Sequence, residues 1–322
     1  MGVIELDKKG EIRFWSAGRL ELSDGTKVDI PVVQLKGANA GPTLCLTSGT
    51  HGCELTGTGS IIKVTREIIN LNELSGKILA VPMVNILAFQ HSKHRAPQDD
   101  INLNRVFPGD ANGSPSAQIA YAVYKEVVQE ADYLIDFHTE PLESALPSCF
   151  TVAKREGIKE DVLKKSRELA KIFGFTLLET TASGTITEAA MRDGKPAFTS
   201  DLSGPWGTIT RGGVISGVRG ILNVMRHLRM IEGKIEQHPG IPVLDALKGP
   251  VEIRAKKGGI VLALCNGGEF VPKNTPVAKI YNLYGDVVEV VKSPTDGYIF
   301  GYPLLQNEAV ATGEVVVSVL RK

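Results

Sequence analysis

From about residue 43 to residue 230, short apolar runs alternate with amphipathic helical stretches. No other feature restricts the fold so strongly, because this alternation demands a sheet with helices packed over it. Strands are predicted at 44–46, 76–82, 133–137 and 196–199, and helices at 56–71, 118–130, 158–173, 187–192 and 214–230. Upstream, residues 11–15, 19–22 and 28–35 read as β, with Ser23-Asp-Gly25 as a hairpin turn. The expectation is a mixed α/β sheet covered by helices on both faces. Ligands of such sheets bind at the carboxyl ends of strands. His51, His138 and Asp201 all fall just past predicted strand ends, which points to one shared site.

After residue 240 the helical pattern stops. Gly240-Ile-Pro marks a linker, and residues 246–322 read as all-β. Two segments there repeat at a spacing of about 38, one starting at Gly259-Ile-Val-Leu and the other at Gly297-Tyr-Ile-Phe. Two such halves resemble the barrel-sandwich fold of biotinyl and lipoyl domains. Between them lies Tyr281-Asn-Leu-Tyr-Gly-Asp286 and no Met-Lys pair, so a structural or access-controlling module is expected and not a cofactor carrier.

The 36 Lys and Arg balance 36 Asp and Glu, so no bulk charge draws the chain to nucleic acid or to an anionic membrane. No apolar run approaches the roughly 18 residues of a membrane span. The start, Met1-Gly-Val-Ile-Glu-Leu-Asp-Lys8, lacks the basic-then-apolar leader pattern. The four cysteines are scattered without a CxxC. Together these features predict a cytoplasmic protein with free thiols.

Chemistry concentrates in Thr47-Ser-Gly-Thr-His-Gly-Cys-Glu-Leu55. His51 and Glu54, three apart, can face one point, and imidazole nitrogen with carboxylate oxygen suits Zn2+. Gly49 and Gly52 allow sharp turns beside them. His138 is the third ligand candidate, with Asp136 placed to orient it. A further polar loop, residues 90–109, carries Arg95 and Arg105, and such forks bind carboxylates or stabilise an oxyanion. In that loop His91 and His94 read as site rim or plain surface more readily than as a metal pair. Cys53 has no clear histidine partner and reads as a small packing residue.

In their order and spacing, His51-Gly-Cys-Glu54, Asn102-Leu-Asn-Arg-Val-Phe-Pro-Gly109 and Asp136-Phe-His138 resemble the succinylglutamate desuccinylase/aspartoacylase family, a branch of the zinc carboxypeptidase-like fold. The resemblance covers roughly residues 25–235 and extends to the C-terminal β module. It implies one Zn2+ per chain, held by His51, Glu54 and His138. Arg95 matches the arginine that polarises the scissile carbonyl, and Asn104 and Arg105 match the pair that grips the substrate carboxylate. The domains expected are a zinc-dependent hydrolase at 1–240 and a barrel-sandwich-like module at 241–322.

The family's general base is a Glu at the end of a late strand. Here Thr199-Ser-Asp-Leu-Ser-Gly-Pro205 puts Asp201 at that position, with Ser203 where Gly is usual. Asp is one methylene shorter, a setback of about 1 Å, and misplacement of that order costs about a hundredfold in rate. Three readings stay open: a working Asp201, a Glu188 that reaches in instead, or a weakened enzyme. Glu188 also fits the first turn of a helix, where its charge suits the dipole. The function implied is hydrolysis of a small N-acyl amino acid by a metal-activated water. A small-peptide carboxypeptidase or amidase, or a zinc- and ligand-binding protein with reduced turnover, are the alternatives. The partner expected is a small-molecule substrate, and a homo-oligomer stays open.

Overall fold

The structure, a computed structural model, describes residues 10–140, 146–241, 243–246, 249–302 and 309–321. The stretch read above for a leader, Pro242 of the linker and the side chain of Ser203 lie outside the described residues.

The first sheet has eight strands: β1 (Glu11–Glu21), β2 (Lys27–Lys36), β3 (Asn39–Ser48), β4 (Ser75–Val81), β5 (Tyr133–Glu140), β6 (Ser148–Val152), β7 (Thr176–Thr180) and β8 (Ala197–Ser203). Their spatial order is β1-β2-β4-β3-β5-β8-β6-β7. The central four, β4, β3, β5 and β8, run parallel. The predicted runs 11–15 and 19–22 merge into one strand that is irregular between Ser16 and Arg19.

Strict alternation sends side chains of each central strand to opposite faces. Leu79, Val81 and Leu134 pack on one face against α3 (Pro115–Glu126) and α5 (Ile186–Arg192). Leu44, Leu46, Ile78, Ala80, Ile135 and Phe137 pack on the other, against α1 (Thr56–Lys63), α4 (Glu160–Phe173) and α6 (Arg211–His227). Helices therefore cover both faces, as expected. Asp136 and His138 share parity with Leu134, so they belong to the α3/α5 face.

Several boundaries differ from expectation. The helix predicted over 56–71 is α-helical only to Lys63 and continues as a π-helical turn, Val64–Ile68. Thr65 bends its hydroxyl back to Ile61 O at 2.8 Å there, which competes with the regular ladder. β6, β7 and a short helix α2 (Ile86–Gln90) have no counterpart in the predicted pattern. His138 and Asp201 lie inside β5 and β8, not past their ends, because both strands run several residues further than their apolar cores.

Downstream, strands β9 (Val251–Arg254), β10 (Gly259–Ala263), β11 (Phe270–Val271), β12 (Pro276–Tyr281), β13 (Val287–Lys292), β14 (Gly297–Gly301), β15 (Ala309–Val310) and β16 (Val315–Arg321) form two four-stranded antiparallel sheets. Their orders are β13-β12-β10-β15 and β11-β14-β16-β9. Pairing β9 with β13, β10 with β14, β11 with β15 and β12 with β16 turns one order into the other reversed. The sequence repeat is thus a pseudo-twofold, and each sheet draws strands from both halves. These sheets close over their own core, including Val277, Ile280, Ile299 and Val317. A separate small cluster joins them to the first sheet: Leu320 and Phe300 pack with Leu146, Leu178 and Phe150.

Helix α1 lies close on β5 at Gly57, where a Cβ would come within 2.3 Å of Phe137 Cβ. Alanine gains about 1 kcal/mol over glycine in a helix, whereas overpacking of this kind costs about 1–3 kcal/mol. Gly57→Ala is expected to destabilise on balance, read as a lower urea midpoint at unchanged slope.

Candidate active site

The loop after β3 is fixed before any ligand enters. Val84 N–H donates to Ser48 O and Asn85 N–H to Gly49 O, both at 2.9 Å. Gly49 takes φ +69°, a left-handed conformation that favours glycine. Gly52 serves differently: its Cα rests on the backbone of Ala88 and Phe89, where a Cβ would meet Phe89 N at 2.1 Å. Pinned this way, the turn carries His51 and Glu54 inward.

His51, Glu54 and His138 are buried, and their ligand atoms all lie within 4.8 Å of one another. His51 Nδ1 is 2.8 Å from Glu54 Oε1, and His138 Nδ1 is 2.7 Å from Glu54 Oε2. The far edges of both rings are held by oxygen acceptors. His51 Nε2–H donates to Asn102 Oδ1 at 3.1 Å, and His138 Nε2–H to Asp136 Oδ2 at 2.9 Å. Thr47, opposite Asp136 in the β3–β5 register, donates its hydroxyl to Asp136 Oδ1 at 2.7 Å. Such partners fix ring orientation and leave the inner nitrogens for a cation.

The charge inventory fits a divalent metal. Two carboxylates, Glu54 and Asp136, are buried among neutral neighbours and imidazoles. Burial alone would raise the Glu54 pKa, but His51 and His138 hold it well below the carboxylate range. Burial works against charge on His138, yet Glu54 and Asp136 raise its pKa well above the ordinary value. The cluster therefore demands positive charge, and its two-nitrogen, one-carboxylate donor set suits zinc.

A cavity of about 300 Å3 opens over this cluster, and Asn104, Arg105 and Asp201 line it as well. Asp201 pairs with His138 across the parallel β5–β8 ladder, so the two share a face. Asn104, buried, accepts from Ile186 N–H through Oδ1 at 3.3 Å and sets Nδ2 3.1 Å from His138 Nε2. Arg105 is exposed and donates to Asn104 O at 2.7 Å.

Arg95 is not brought into this cavity. It lines an adjoining hollow of about 530 Å3, donates to Asp100 O at 3.3 Å, and is exposed. Glu188 also stands away: its carboxylate accepts from Gly184 N–H at 2.7 Å and from Arg155 and Arg192 at 3.0 and 2.9 Å. That is the helix-first-turn role. Cys53 lines the adjoining hollow, and burial followed by the Glu54 charge pushes its thiol up to about 12, which suits packing and not nucleophilic attack.

Trp206 escaped the sequence, and two other contributors were legible only in outline, His94 as site rim or plain surface and Asn102 within a motif. His94 stacks on His51 with centroids 3.5 Å apart, and burial, then His51, pushes its pKa down to about 4. Trp206 donates Nε1–H to Thr139 O at 3.0 Å and sits 5.5 Å from His94. The two rings partition the cavity from the hollow, because both line each. Asn102 was legible only as part of a polar motif; a side-chain oxygen two residues before Asn104 was the available signal.

Residues 40–228 match the model of the succinylglutamate desuccinylase/aspartoacylase catalytic domain. The chain belongs to the succinylglutamate desuccinylase/aspartoacylase family. As a member of it, the chain is a hydrolase that acts on amides, with the family's zinc carboxypeptidase-like fold. It is 28% identical over 267 residues to an N-alpha-acetyl-L-2,4-diaminobutyric acid deacetylase of Halomonas elongata, covering 80% of this chain and 75% of that one. The crystal structure of a succinylglutamate desuccinylase/aspartoacylase from Rhodobacter sphaeroides is similar at a TM-score of 0.80 and 25% identity, over 98% of this chain and 96% of that one. A product-bound ectoine utilisation protein from Ruegeria pomeroyi shares the fold at a TM-score of 0.82 and 22% identity, over 99% and 98%.

Two outcomes follow from these contacts. Asp136→Asn is expected to weaken the affinity of this cluster for a divalent metal about 10- to 100-fold in a chelator competition, because His138 loses its charged partner. Glu188, held below its ordinary pKa near 4.5, contributes stability above that pH and loses it as pH falls through its lower folded value. The stability gap between wild type and Glu188→Gln is therefore expected to narrow as pH falls below about 4.5 in urea unfolding series.

Proposed function

We propose that the chain is a zinc-dependent deacylase of small N-acyl amino acids. The observation that carries this is the buried His51–Glu54–His138 cluster opening onto one cavity with Asp201 and Arg105. Zinc held by those three residues supplies Lewis acidity to an acyl carbonyl and to the attacking water.

This chain's own groups do the rest. Asp201 stands beside His138 on the same face, placed to take a proton from the water and return it to the leaving amine. Arg105 offers a fork to the substrate carboxylate at the cavity edge, its guanidinium steadied by a bond to the main-chain carbonyl of Asn104. Arg95 is the charge left for the acyl oxygen. Its guanidinium stands 3.9 Å from the Asp100 carboxylate, outside hydrogen-bond reach of it, and the role requires residues 91–95 to carry it across the His94–Trp206 partition. A volume near 300 Å3 supports a small substrate. The diaminobutyrate deacetylase of Halomonas elongata, an N-acetyl amino acid enzyme by name, supports the same class.

Zinc-loaded protein is expected to release free amino acid from an N-acetyl amino acid panel faster than it cleaves dipeptides. Chelation or His51→Ala should abolish release, and Asp201→Asn should lower kcat by about 10²–10⁴-fold with KM little changed. Turnover that ignores chelation and His51→Ala would sink the proposal. Tight zinc and ligand binding without product, with turnover restored by Asp201→Glu, would favour a binding protein.

A further inference from the structure

Beside the His51–Glu54–His138 cluster, the cavity lining includes Phe150, Thr180, Thr185, Thr187 and Thr199. None of these side chains carries a charge, and four of the five carry a hydroxyl. Thr199 faces in because it sits two residues before Asp201 on β8, opposite Asp136. Thr185 and Thr187 come from the start of α5, and Thr180 from the end of β7.

The hydroxyls retain donors. Thr185 Oγ1 accepts from Glu188 N–H at 3.1 Å and lies 3.2 Å from Thr187 Oγ1. Two hydroxyl protons with one mutual bond leave one O–H to donate. Thr180 Oγ1 accepts from Ala182 N–H at 3.1 Å, so its proton is also left for a ligand. Behind the wall, Glu188 engages both Arg155 and Arg192, so neither guanidinium is left over to meet a ligand in the cavity.

Arg105 is fastened to this wall. Phe107 N–H donates to Gly184 O at 3.0 Å, and Gly184 packs so tightly on Arg105 that a Cβ would meet its carbonyl oxygen at 2.2 Å. The carboxylate and the side chain of an amino acid branch from one carbon. A carboxylate gripped by Arg105 therefore delivers the side chain to the threonines.

We propose that this threonine wall receives the amino-acid side chain of the substrate and selects one that is neutral and carries a hydrogen-bond acceptor, an amide or a hydroxyl. The proposal rests on the deacylase reading above. A second carboxylate would be buried without a free cation, because the first engages Arg105 and Glu188 engages Arg155 and Arg192. An ammonium would find hydroxyls, and would have to approach the metal's positive charge to reach Asp201. A purely aliphatic side chain would leave the hydroxyls unpaired.

The test is calorimetric binding to zinc-loaded Asp201→Asn protein, so that turnover does not consume the probe. The probes are N-acetyl-L-threonine, N-acetyl-L-glutamine, N-acetyl-L-leucine, N-acetyl-L-aspartate and N-acetyl-L-2,4-diaminobutyrate. Threonine and glutamine derivatives are expected to bind at least about tenfold tighter than the other three. Thr180→Val, Thr185→Val and Thr187→Val together should erase that preference, because Thr185 keeps an O–H when Thr187 alone is replaced. Thr180→Ser with Thr187→Ser, which keeps the hydroxyls, should preserve it. Equal or tighter binding of the aspartate, diaminobutyrate or leucine derivative, no binding of any probe, or a preference that survives all three valines overturns the inference. Selective binding by wild type without product would fail the deacylase reading alone. Hydrolysis with no side-chain preference would fail only the wall.

Discussion

Glu54 places each of its carboxylate oxygens on a different histidine, and the organisation of the site follows from that. A buried carboxylate with neither partner would carry a penalty of several kcal/mol. His51 must therefore sit on a pinned turn after β3, and His138 within β5, at a register that brings both to one point. The parallel pairing of β3 with β5 and of β5 with β8 sets that register. A slip of one residue would turn Asp136, His138 and Asp201 toward the opposite, apolar face. The buried His51–Glu54–His138 cluster is thus as much a property of sheet alternation as of any loop.

How much of this was legible in the sequence depends on where each signal resides. The ligands carried local signals: HxxE spacing, flanking glycines and a second histidine after an apolar run. Strand and helix order was also visible, because apolar periodicity is local. What stayed hidden depends on contacts distant in the chain. β6 and β7 were missed because Ser148-Cys-Phe-Thr-Val152 and Thr176-Leu-Leu-Glu-Thr180 are short and mixed in polarity. The stacking of His94 on His51 spans a loop with no periodicity. The role of Thr180, Thr185, Thr187 and Thr199 emerges only when β7, α5 and β8 meet, since a threonine alone says nothing about a cavity.

Arg95 and Glu188 show the same limit from the other side. Both stand in polar surroundings that sequence reasoning connects to catalysis. The fold gives Glu188 to Arg155, Arg192 and the Gly184 amide, which is a stabilising role at a helix start. Arg95 rests on the solvent side of the His94–Trp206 partition. Residue type and spacing define what a group can do; the packing of its neighbours decides whether it faces the work.

The interleaved C-terminal sheets have a topological consequence. Neither repeat contains a complete sheet, so neither half is a folding unit. β16 pairs with β14 on one side and β9 on the other, and its Leu320 packs in the cluster that holds Phe150. Phe150 in turn lines the cavity. The last strand, more than a hundred residues beyond Asp201, is therefore mechanically linked to the cavity wall. Interlocking makes the tail of the chain a keystone for its middle, and local damage at that strand propagates inward.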